Sequence, residues 1–285
     1  MVVTKNHSSS TTRASVDVSV IIPTFNRAGL VNEAVESVLA QRGADFELIV
    51  VDDGSTDGTG PALRSRGQDI TLLSRPNRGV SAARNAGAAR ASGRYLAFLD
   101  SDDLWLPGKL ARQAAFFQDH PEALICQTEE KWIKNGRPLK PRPKHRKPSG
   151  IIFEPSLALC LVSPSAVMIR SRFFREMGGF DESLPACEDY DLWLRISSRQ
   201  PVHLIPDTLV IKRGGHDDQL SAAAALDKYR IRSLRKILNT APLTPDQRQA
   251  ALRTLRKKCA IYAAGCEKRG RPTEAGYYTW IAKNS

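Results

Sequence analysis

The sequence lacks any long apolar run. Nowhere in its 285 residues do about 18 uninterrupted apolar side chains occur, which is roughly the length that crosses a bilayer. The first residues, MVVTKNHSSSTTRASVD, contain no apolar core of the kind that secretory signals carry. These absences predict a soluble, globular protein whose polar residues 1–16 form a disordered tail.

Cysteine is also scarce. The five cysteines are an odd number and widely scattered, with no C-x-x-C pair and no histidine at zinc-site spacing. This distribution excludes a disulfide framework and a structural zinc site, and it predicts reduced thiols in a cytoplasm. The five are Cys126, Cys160, Cys187, Cys259 and Cys266.

Acidic residues are outnumbered by basic ones, 30 to 42, which gives a net charge of +12. Such a charge favours anionic partners: nucleotides, nucleic acid or acidic lipid headgroups. Basic residues concentrate in Lys131–Lys147 and in Tyr229–Arg271. The first run is expected to be a solvated mobile loop, with contact to an anionic membrane as the alternative. No recognition helix, RNP aromatic set or zinc-finger spacing accompanies it, so nucleic acid is not the expected partner.

Short apolar strands alternate with helical segments through the first hundred residues. Predicted strands over 18–23, 46–53, 70–74 and 95–100 are separated by predicted helices, the rhythm of a parallel sheet covered by helices. The sequence therefore predicts an α/β fold with a mainly parallel central sheet flanked by helices. Two further short strands are predicted near 202–205 and 209–212. After Leu220 the pattern becomes continuously helical, and it is broken near 242–245 and 270–272. We expect a C-terminal helical appendage of two or three segments there.

Carboxylates follow two of these strands directly. Asp52 and Asp53 end the segment FELIVVDD, and Asp100 and Asp102 follow YLAFL. Open parallel sheets bind ligands at the carboxyl ends of their strands. Clustered carboxylates suit a hard divalent cation such as Mg²⁺ or Mn²⁺. The alternative, that Asp103 caps the following helix, would explain one carboxylate of the cluster but not three.

Four segments resemble glycosyltransferase family 2, the inverting enzymes with a nucleotide-sugar-binding sheet domain. They are VSVIIPTFNRAGLVNEAVESVLAQ, FELIVVDDGSTDGT, NRGVSAARNAGAARASGRYLAFLDSDDLW and GGFDESLPACEDYDLWLRI, in the expected order from Asp17 to Ile196. The resemblance implies a GT-A type fold, a nucleotide-diphosphate sugar donor, Mn²⁺ or Mg²⁺, and transfer to an acceptor hydroxyl.

The resemblance also implies the donor-binding residues. Phe25 is expected to stack on the base, and Asp53 to accept a hydrogen bond from uracil or thymine, which favours a UDP-sugar. An Asx-turn into GSTDGT is the alternative role of Asp53, and both roles are compatible. Of three arginines near a helix N-terminus, Arg78 is the one expected to meet the phosphates. The full expected set is Pro23, Thr24, Phe25, Asp53, Arg78, Asp100 and Ser101.

The same resemblance assigns metal binding to Asp102 and His216 and the catalytic base to Asp189. An inverting transfer needs a carboxylate that takes the proton of the attacking hydroxyl. The alternative is that Glu188, Asp189 and Asp191 only decorate a helix start, where the helix dipole stabilises negative charge and would weaken a base. A solvated loop histidine is the alternative for His216.

These inferences predict a metal-dependent inverting glycosyltransferase of cell-surface polysaccharide or glycolipid synthesis. It is expected in the cytoplasm, peripherally at the inner face of an anionic membrane, with a saccharide or lipid-linked acceptor and no nucleic acid. The alternatives are a sugar-nucleotide nucleotidyltransferase and a basic nucleic-acid-binding protein. The predicted domains are 17–218, divided near 105 into nucleotide-binding and acceptor-side halves, and the helical region 219–285.

Overall fold

The computed structural model describes residues 16–215 and 225–285. His216 and all of the predicted N-terminal tail except Val16 lie outside the described residues. The described part contains a nine-stranded sheet, helices on both of its faces, and three C-terminal helices.

The first half of the chain forms a parallel block. Its strands lie in the order β3-β2-β1-β4, and each is parallel to its neighbour. β1 is buried along its whole length because helices cover both faces, which suits its run of β-branched residues. The elements are β1 (Val18–Thr24), α1 (Ala28–Leu39), β2 (Phe46–Asp52), α2 (Thr59–Arg64), β3 (Thr71–Ser74), α3 (Val80–Arg90) and β4 (Tyr95–Phe98).

The second half extends the sheet in the order β8-β6-β9-β5, and β7 pairs with β6. β8 is antiparallel to β4 and to β6, whereas β6 and β9 are parallel, so the complete sheet is mixed. The elements are β5 (Leu104–Trp105), α4 (Lys109–Asp119), β6 (Ile125–Lys134), β7 (Arg137–Leu139), α5 (Phe153–Ala158), β8 (Val167–Arg170), α6 (Ser171–Glu176), α7 (Glu188–Ser197) and β9 (His203–Gly214).

Strand register brings the predicted site residues to one edge. In β1, Thr24 is paired with Asp52 of β2, and Ile21 is paired with Phe98 of β4. Helix α3 approaches this block closely, because a Cβ on Gly87 would lie 2.5 Å from the Ile21 side chain. Only glycine fits there, and the close approach fixes the height of α3 above the strand ends.

The structure corrects two predictions about secondary structure and adds one helix that the sequence did not predict. The basic run was expected to be a loop, but it begins as a hairpin of β6 and β7 turning at Asn135 and Gly136, both with positive φ. Asn-Gly is the strongest short-range hairpin signal, so the sequence itself indicates this turn. The strands expected near 202–205 and 209–212 are one continuous strand, β9, because β6 pairs along nearly all of it. Helix α5 was not predicted.

The C-terminal region forms three helices, α8 (Leu226–Thr240), α9 (Pro245–Lys268) and α10 (Pro272–Asn284). Their apolar faces share one core with residues of α5 and α7. The break before α9 is a capping box formed by Thr244 and Gln247. No helix among residues 16–215 and 225–285 is long and apolar enough to span a membrane. The predicted division into domains stays a prediction.

Candidate active site

Asp53 is a buried carboxylate held by the loop after β3. One of its oxygens, Oδ2, accepts hydrogen bonds from the main-chain N–H groups of Arg78 at 3.0 Å and Gly79 at 2.7 Å. The Arg75 guanidinium lies 3.2 Å from the other oxygen, Oδ1. Main-chain donors and a cation together hold the carboxylate in one orientation at the strand edge.

The neighbouring carboxylate, Asp52, caps the turn into GSTDGT by accepting a hydrogen bond from the Ser55 main-chain N–H at 3.0 Å. The turn-forming role considered for Asp53 therefore belongs to Asp52. Beside them, Thr24 is buried, and its hydroxyl has no hydrogen-bond partner among residues 16–215 and 225–285. Phe25 is 44% exposed, an unusual state for a phenyl ring next to a buried strand.

A buried guanidinium links the two halves of the sheet domain. Arg84 of α3 donates to Asp100 Oδ1 and to Glu188 Oε1, each at 2.6 Å. Burial acts to lower the pKa of Arg84, but the two carboxylates outweigh it and raise that pKa. For Asp100, burial acts to raise the pKa, and the Arg84 and Lys212 cations lower it overall. The guanidinium therefore stays charged and fixes the end of β4 against the start of α7.

The other two carboxylates of the cluster differ in their surroundings. Asp103 accepts hydrogen bonds from the Ser165 hydroxyl at 2.6 Å and from the Arg213 main-chain N–H at 2.9 Å. Burial raises the pKa of Asp103 to about 8. The Asp102 side chain is 16% exposed, its carboxylate lies 3.8 Å from Arg27, and its main-chain carbonyl accepts from the Arg213 guanidinium.

The helix-capping alternative for Asp103 is wrong, because α4 begins at Lys109 behind a left-handed Gly108 with no side-chain cap. In the part of the chain that the structure describes, no three acidic, His or Cys side chains converge as a metal cage. Asp100 accepts from Arg84, Asp103 accepts from Ser165 and Arg213, and Asp102 lies 3.8 Å from the Arg27 guanidinium. Mg²⁺ in proteins is held by one or two carboxylates together with substrate phosphates, so this arrangement fits a phosphate-bridged metal.

The first turn of α7 carries three acidic residues that point to different partners. Glu188 contacts Arg84, and Asp191 pairs with Arg195 at 2.9 Å. Asp189 accepts from its neighbour's main-chain N–H at 2.6 Å and from the Cys160 thiol at 3.4 Å. Burial strongly raises the pKa of Cys160, so the thiol remains a donor. The alternative that these acidic residues only decorate the start of a helix does not hold for Glu188, because this side chain is buried and accepts a hydrogen bond from Arg84.

Lys212 of β9 was not predicted as a site residue. Its ammonium lies 3.4 Å from the Ser163 hydroxyl. Burial acts to lower the pKa of Lys212, but the carboxylates of Glu130, Asp103, Asp100 and Asp189 raise it. The Lys212 ammonium therefore interacts electrostatically with both Asp100 and Asp189. The sequence carried no signal for it beyond its place on a strand.

Residues 19–178 match the protein-family model of glycosyl transferase family 2, and this stretch is more than half of the chain. The chain belongs to glycosyltransferase family 2. The resemblance stated from the motifs is thereby confirmed, and the nucleotidyltransferase and nucleic-acid-binding alternatives are set aside.

Curated relatives agree with this assignment. A protein of Rickettsia felis described as an uncharacterized glycosyltransferase is 31% identical over 213 residues, 71% of this chain. The chain spans only about a third of that relative, 35% of its length. A putative teichuronic acid biosynthesis glycosyltransferase, TuaG of Bacillus subtilis, is 34% identical over 157 residues, 53% of this chain and 61% of TuaG.

Solved structures share the fold. TarS 1–349 of S. aureus in complex with UDP-GlcNAc superposes with a TM-score of 0.71 at 21% identity, covering 92% of this chain and 80% of that one. The mannosyltransferase PcManGT of Pyrobaculum calidifontis, in complex with GDP-Man and Mn²⁺, gives 0.62 at 19% identity, covering 94% and 85%. The predicted GT-A type fold class is confirmed, with a mixed sheet and a C-terminal helical region.

Most of the predicted donor residues lie along one edge of the sheet, at the ends of β1 and β4. Pro23 and Thr24 end the buried β1, Ser101 is buried after β4, and Arg84 joins Asp100 to the start of α7. Arg78 differs, because its side chain extends to Glu182 at 3.2 Å and its contact with Asp53 is through the main chain. Its phosphate-binding role stays a prediction, as do the roles of the others.

Proposed function

We propose that this glycosyltransferase is metal-dependent and inverting, and that it moves a sugar from a UDP-sugar to an acceptor hydroxyl. The observation that carries the proposal is the Arg84 bridge between Asp100 and Glu188. It holds the carboxylate cluster after β4 beside the first turn of α7, which carries Asp189. A donor diphosphate and an attacking hydroxyl would thus meet at one place.

The nucleotide would lie over the ends of β1 and β2. Phe25 offers an exposed ring for stacking on the base. Asp53 Oδ1 has the Arg75 guanidinium 3.2 Å away but accepts no hydrogen bond of good geometry within the described residues, so it would accept one from the N3–H of uracil. The UDP-GlcNAc complex of TarS supports uracil as the base. The mannosyltransferase PcManGT is in complex with GDP-Man, so GDP-sugars must also be tested as donors.

Asp189 would act as the base. It takes the proton of the acceptor hydroxyl while that oxygen attacks the anomeric carbon from the side opposite UDP. The new carbon–oxygen bond forms as the bond to the diphosphate breaks, and UDP leaves with the electron pair. The Cys160 thiol and the Tyr190 main-chain N–H hold the carboxylate in place. Asp102 would hold a Mn²⁺ or Mg²⁺ ion, which would supply positive charge to stabilise the leaving diphosphate.

The acceptor would be a saccharide or a lipid-linked saccharide of a cell-surface polysaccharide or glycolipid. The description of TuaG supports this class of product. A cytoplasmic location at the inner face of an anionic membrane accompanies the proposal, because the chain carries a net charge of +12.

A donor panel tests the proposal. UDP-, dTDP- and GDP-sugars are incubated with the full chain and Mn²⁺, and release of the nucleotide diphosphate is measured. We expect UDP-sugars to be hydrolysed fastest and EDTA to abolish the reaction. Asp102→Asn should lose both turnover and metal-dependent UDP binding. Full activity of Asp102→Asn in EDTA would contradict the assignment of metal binding to Asp102.

A further inference from the structure

One outer surface of the C-terminal helices combines three cations with two aromatic rings. Lys228, Arg232 and Arg235 are exposed and follow one another at helical spacing along α8. Arg235 donates to the Tyr277 hydroxyl of α10 at 3.0 Å, and Trp280 lies one turn further along α10. Tyr277 is 50% exposed and Trp280 59%. We call these five residues the α8–α10 surface.

The Trp280 ring lies largely outside the core, whereas the Tyr277 ring contacts the Tyr278 ring edge-on, with centroids 5.2 Å apart. Helix α10 packs through Ala275, Tyr278 and Ile281, which are buried on its other side. The other three tryptophans of the chain are buried or half-buried. An exposed tryptophan beside a row of cations therefore has no explanation in the core of this protein.

The charge of this surface is available to a partner. The one acidic residue of α8, Asp227, pairs with Lys258 at 3.1 Å, and the one acidic residue of α10, Glu274, pairs with Arg271 at 3.0 Å. Over 226–285 the sequence has 14 Lys and Arg against four Asp and Glu, a net charge of +10. The complementary partner must be anionic.

We propose that the α8–α10 surface binds an anionic bilayer, with Trp280 and Tyr277 at headgroup depth. Tryptophan and tyrosine favour the membrane–water interface, since their rings are apolar and their polar atoms stay hydrated. Each Lys or Arg near an acidic membrane adds about 1 kcal/mol. A soluble polyanion would satisfy the cations but would leave the indole ring in water, so the combination favours a lipid surface.

The position of this surface deepens the proposed function, on which it rests. Arg232 donates to the carbonyl and hydroxyl of Ser183, in the loop that leads into α7. The first residue of α8, Leu226, accepts a hydrogen bond from the Cys187 thiol, two residues before Asp189. At about 1.5 Å per residue, Leu226 and Arg235 are only about 14 Å apart along α8. A bilayer at this surface would hold a lipid-linked acceptor within reach of the proposed base.

Vesicle co-sedimentation of the full chain tests the charges. Vesicles of phosphatidylcholine with and without phosphatidylglycerol are compared at low and high salt. We expect binding only to the acidic vesicles, weakened by salt. Replacing Lys228, Arg232 and Arg235 by Gln should lower the partition coefficient about 10²-fold, since three contacts of about 1 kcal/mol are lost.

A matched variant separates this surface from net charge alone. Arg253, Lys257 and Lys268 are exposed on α9, and their replacement by Gln removes the same three charges. We expect this variant to bind acidic vesicles within a few-fold of the unchanged protein. Equal loss in both variants would overturn the proposal, since charge without position would then explain the binding.

Brominated lipids test the ring. Bromine at the acyl chains should quench part of the tryptophan emission of the unchanged protein, and Trp280→Phe should remove that quenching. No quenching, with binding retained, would point to a surface-bound polyanion site and overturn the proposal. Donor hydrolysis is measured in parallel: its absence from the unchanged protein counts against the proposed function, while the vesicle results still decide this surface.

Discussion

The sheet region and the C-terminal helices of this glycosyltransferase carry charge in opposite ways. Residues 16–215 hold 26 Lys and Arg against 24 Asp and Glu, whereas residues 226–285 hold 14 against four. In the sheet region several ions are buried against one another, as Arg84 is between Asp100 and Glu188. On the helices most cations are exposed. The balanced region uses charge to position groups, and the basic region uses it to generate a field.

Burial explains why the two uses are segregated. A buried ion costs several kcal/mol of solvation and persists only where a partner and hydrogen bonds offset that cost. Lys147 shows this, since it donates to Glu130 at 2.9 Å and to a main-chain carbonyl at 3.0 Å. Burial acts to raise the pKa of Glu130, yet Lys147 and Lys212 lower it to about 2. Exposed cations need no such partners, so they remain available to other molecules.

The largest effect is expected on kcat, from a change at the proposed base in the sheet region. Asp189→Asn keeps the shape of the side chain but cannot take a proton, so kcat should fall by about 10²–10⁴-fold. Donor affinity, measured by calorimetric titration of UDP, should persist. The same change at Asp246, exposed on α9, should leave kcat unaltered. Lost UDP binding with normal turnover at saturation would make Asp189 a binding residue instead.

Breaking the buried bridge comes next. Arg84→Met leaves Asp100 and Glu188 without their shared cation, so the free energy of unfolding should fall by about 3–5 kcal/mol. Urea unfolding followed by circular dichroism measures this loss. If the free energy of unfolding changes by less than the experimental error, the two carboxylates are hydrated once Arg84 is removed. The bridge would then not stabilise the fold as proposed.

A third prediction concerns a buried lysine in the sheet region. Lys109 has no exposed surface; it donates to Gln113 at 2.7 Å and lies 4.0 Å from the centre of the Trp105 ring. Burial lowers its pKa to about 7, far below the usual 10.5. Between these two values Lys109 binds more protons in the unfolded chain than in the folded one, so its contribution to the free energy of unfolding should rise as the pH increases.

Replacement of that lysine provides the measurement. Lys109→Met should remove the increase in stability between about pH 7 and pH 10.5, as followed by urea unfolding at several pH values. Lys257→Met, at an exposed position on α9, should keep it. The same slope in the unchanged protein and in Lys109→Met would show that another group titrates there.

The smallest effect is expected on the helices. Arg253 and Glu154 form an exposed pair at 3.6 Å, with side chains 62% and 72% exposed. Such pairs contribute about 0–1 kcal/mol, so Arg253→Met should change the unfolding free energy by less than about 1 kcal/mol. A loss as large as that of Arg84→Met would remove the contrast between the two regions.

Local patterns predicted much of the fold. The strands from β1 to β4, helix α3 and the breaks around α9 follow from alternating apolar runs and turn residues, each of which acts over a few positions. The hairpin at Asn135 had its own signal, which the basic composition around it obscured. Helix α5 is short, and it is stabilised by α7 and α9 rather than by its own sequence.

Site contacts were harder to predict. Asp103 was considered as a helix cap, but it accepts from Ser165, 62 positions away. The thiol beside Asp189 belongs to Cys160, on a segment with no sequence motif. Spacing along the chain says nothing about such partners, because they meet only after distant elements pack.

The sequence by itself determined that carboxylates stand at the ends of parallel strands, because strand and turn propensities are local. Only the tertiary structure decided which partner each of those carboxylates contacts. Arg84 meets Glu188 across 104 positions because α3 and α7 both pack at the same end of the sheet. That packing brings Asp100 to a guanidinium, Asp103 into a buried hydrogen-bond network, and Asp102 to within 3.8 Å of the Arg27 guanidinium.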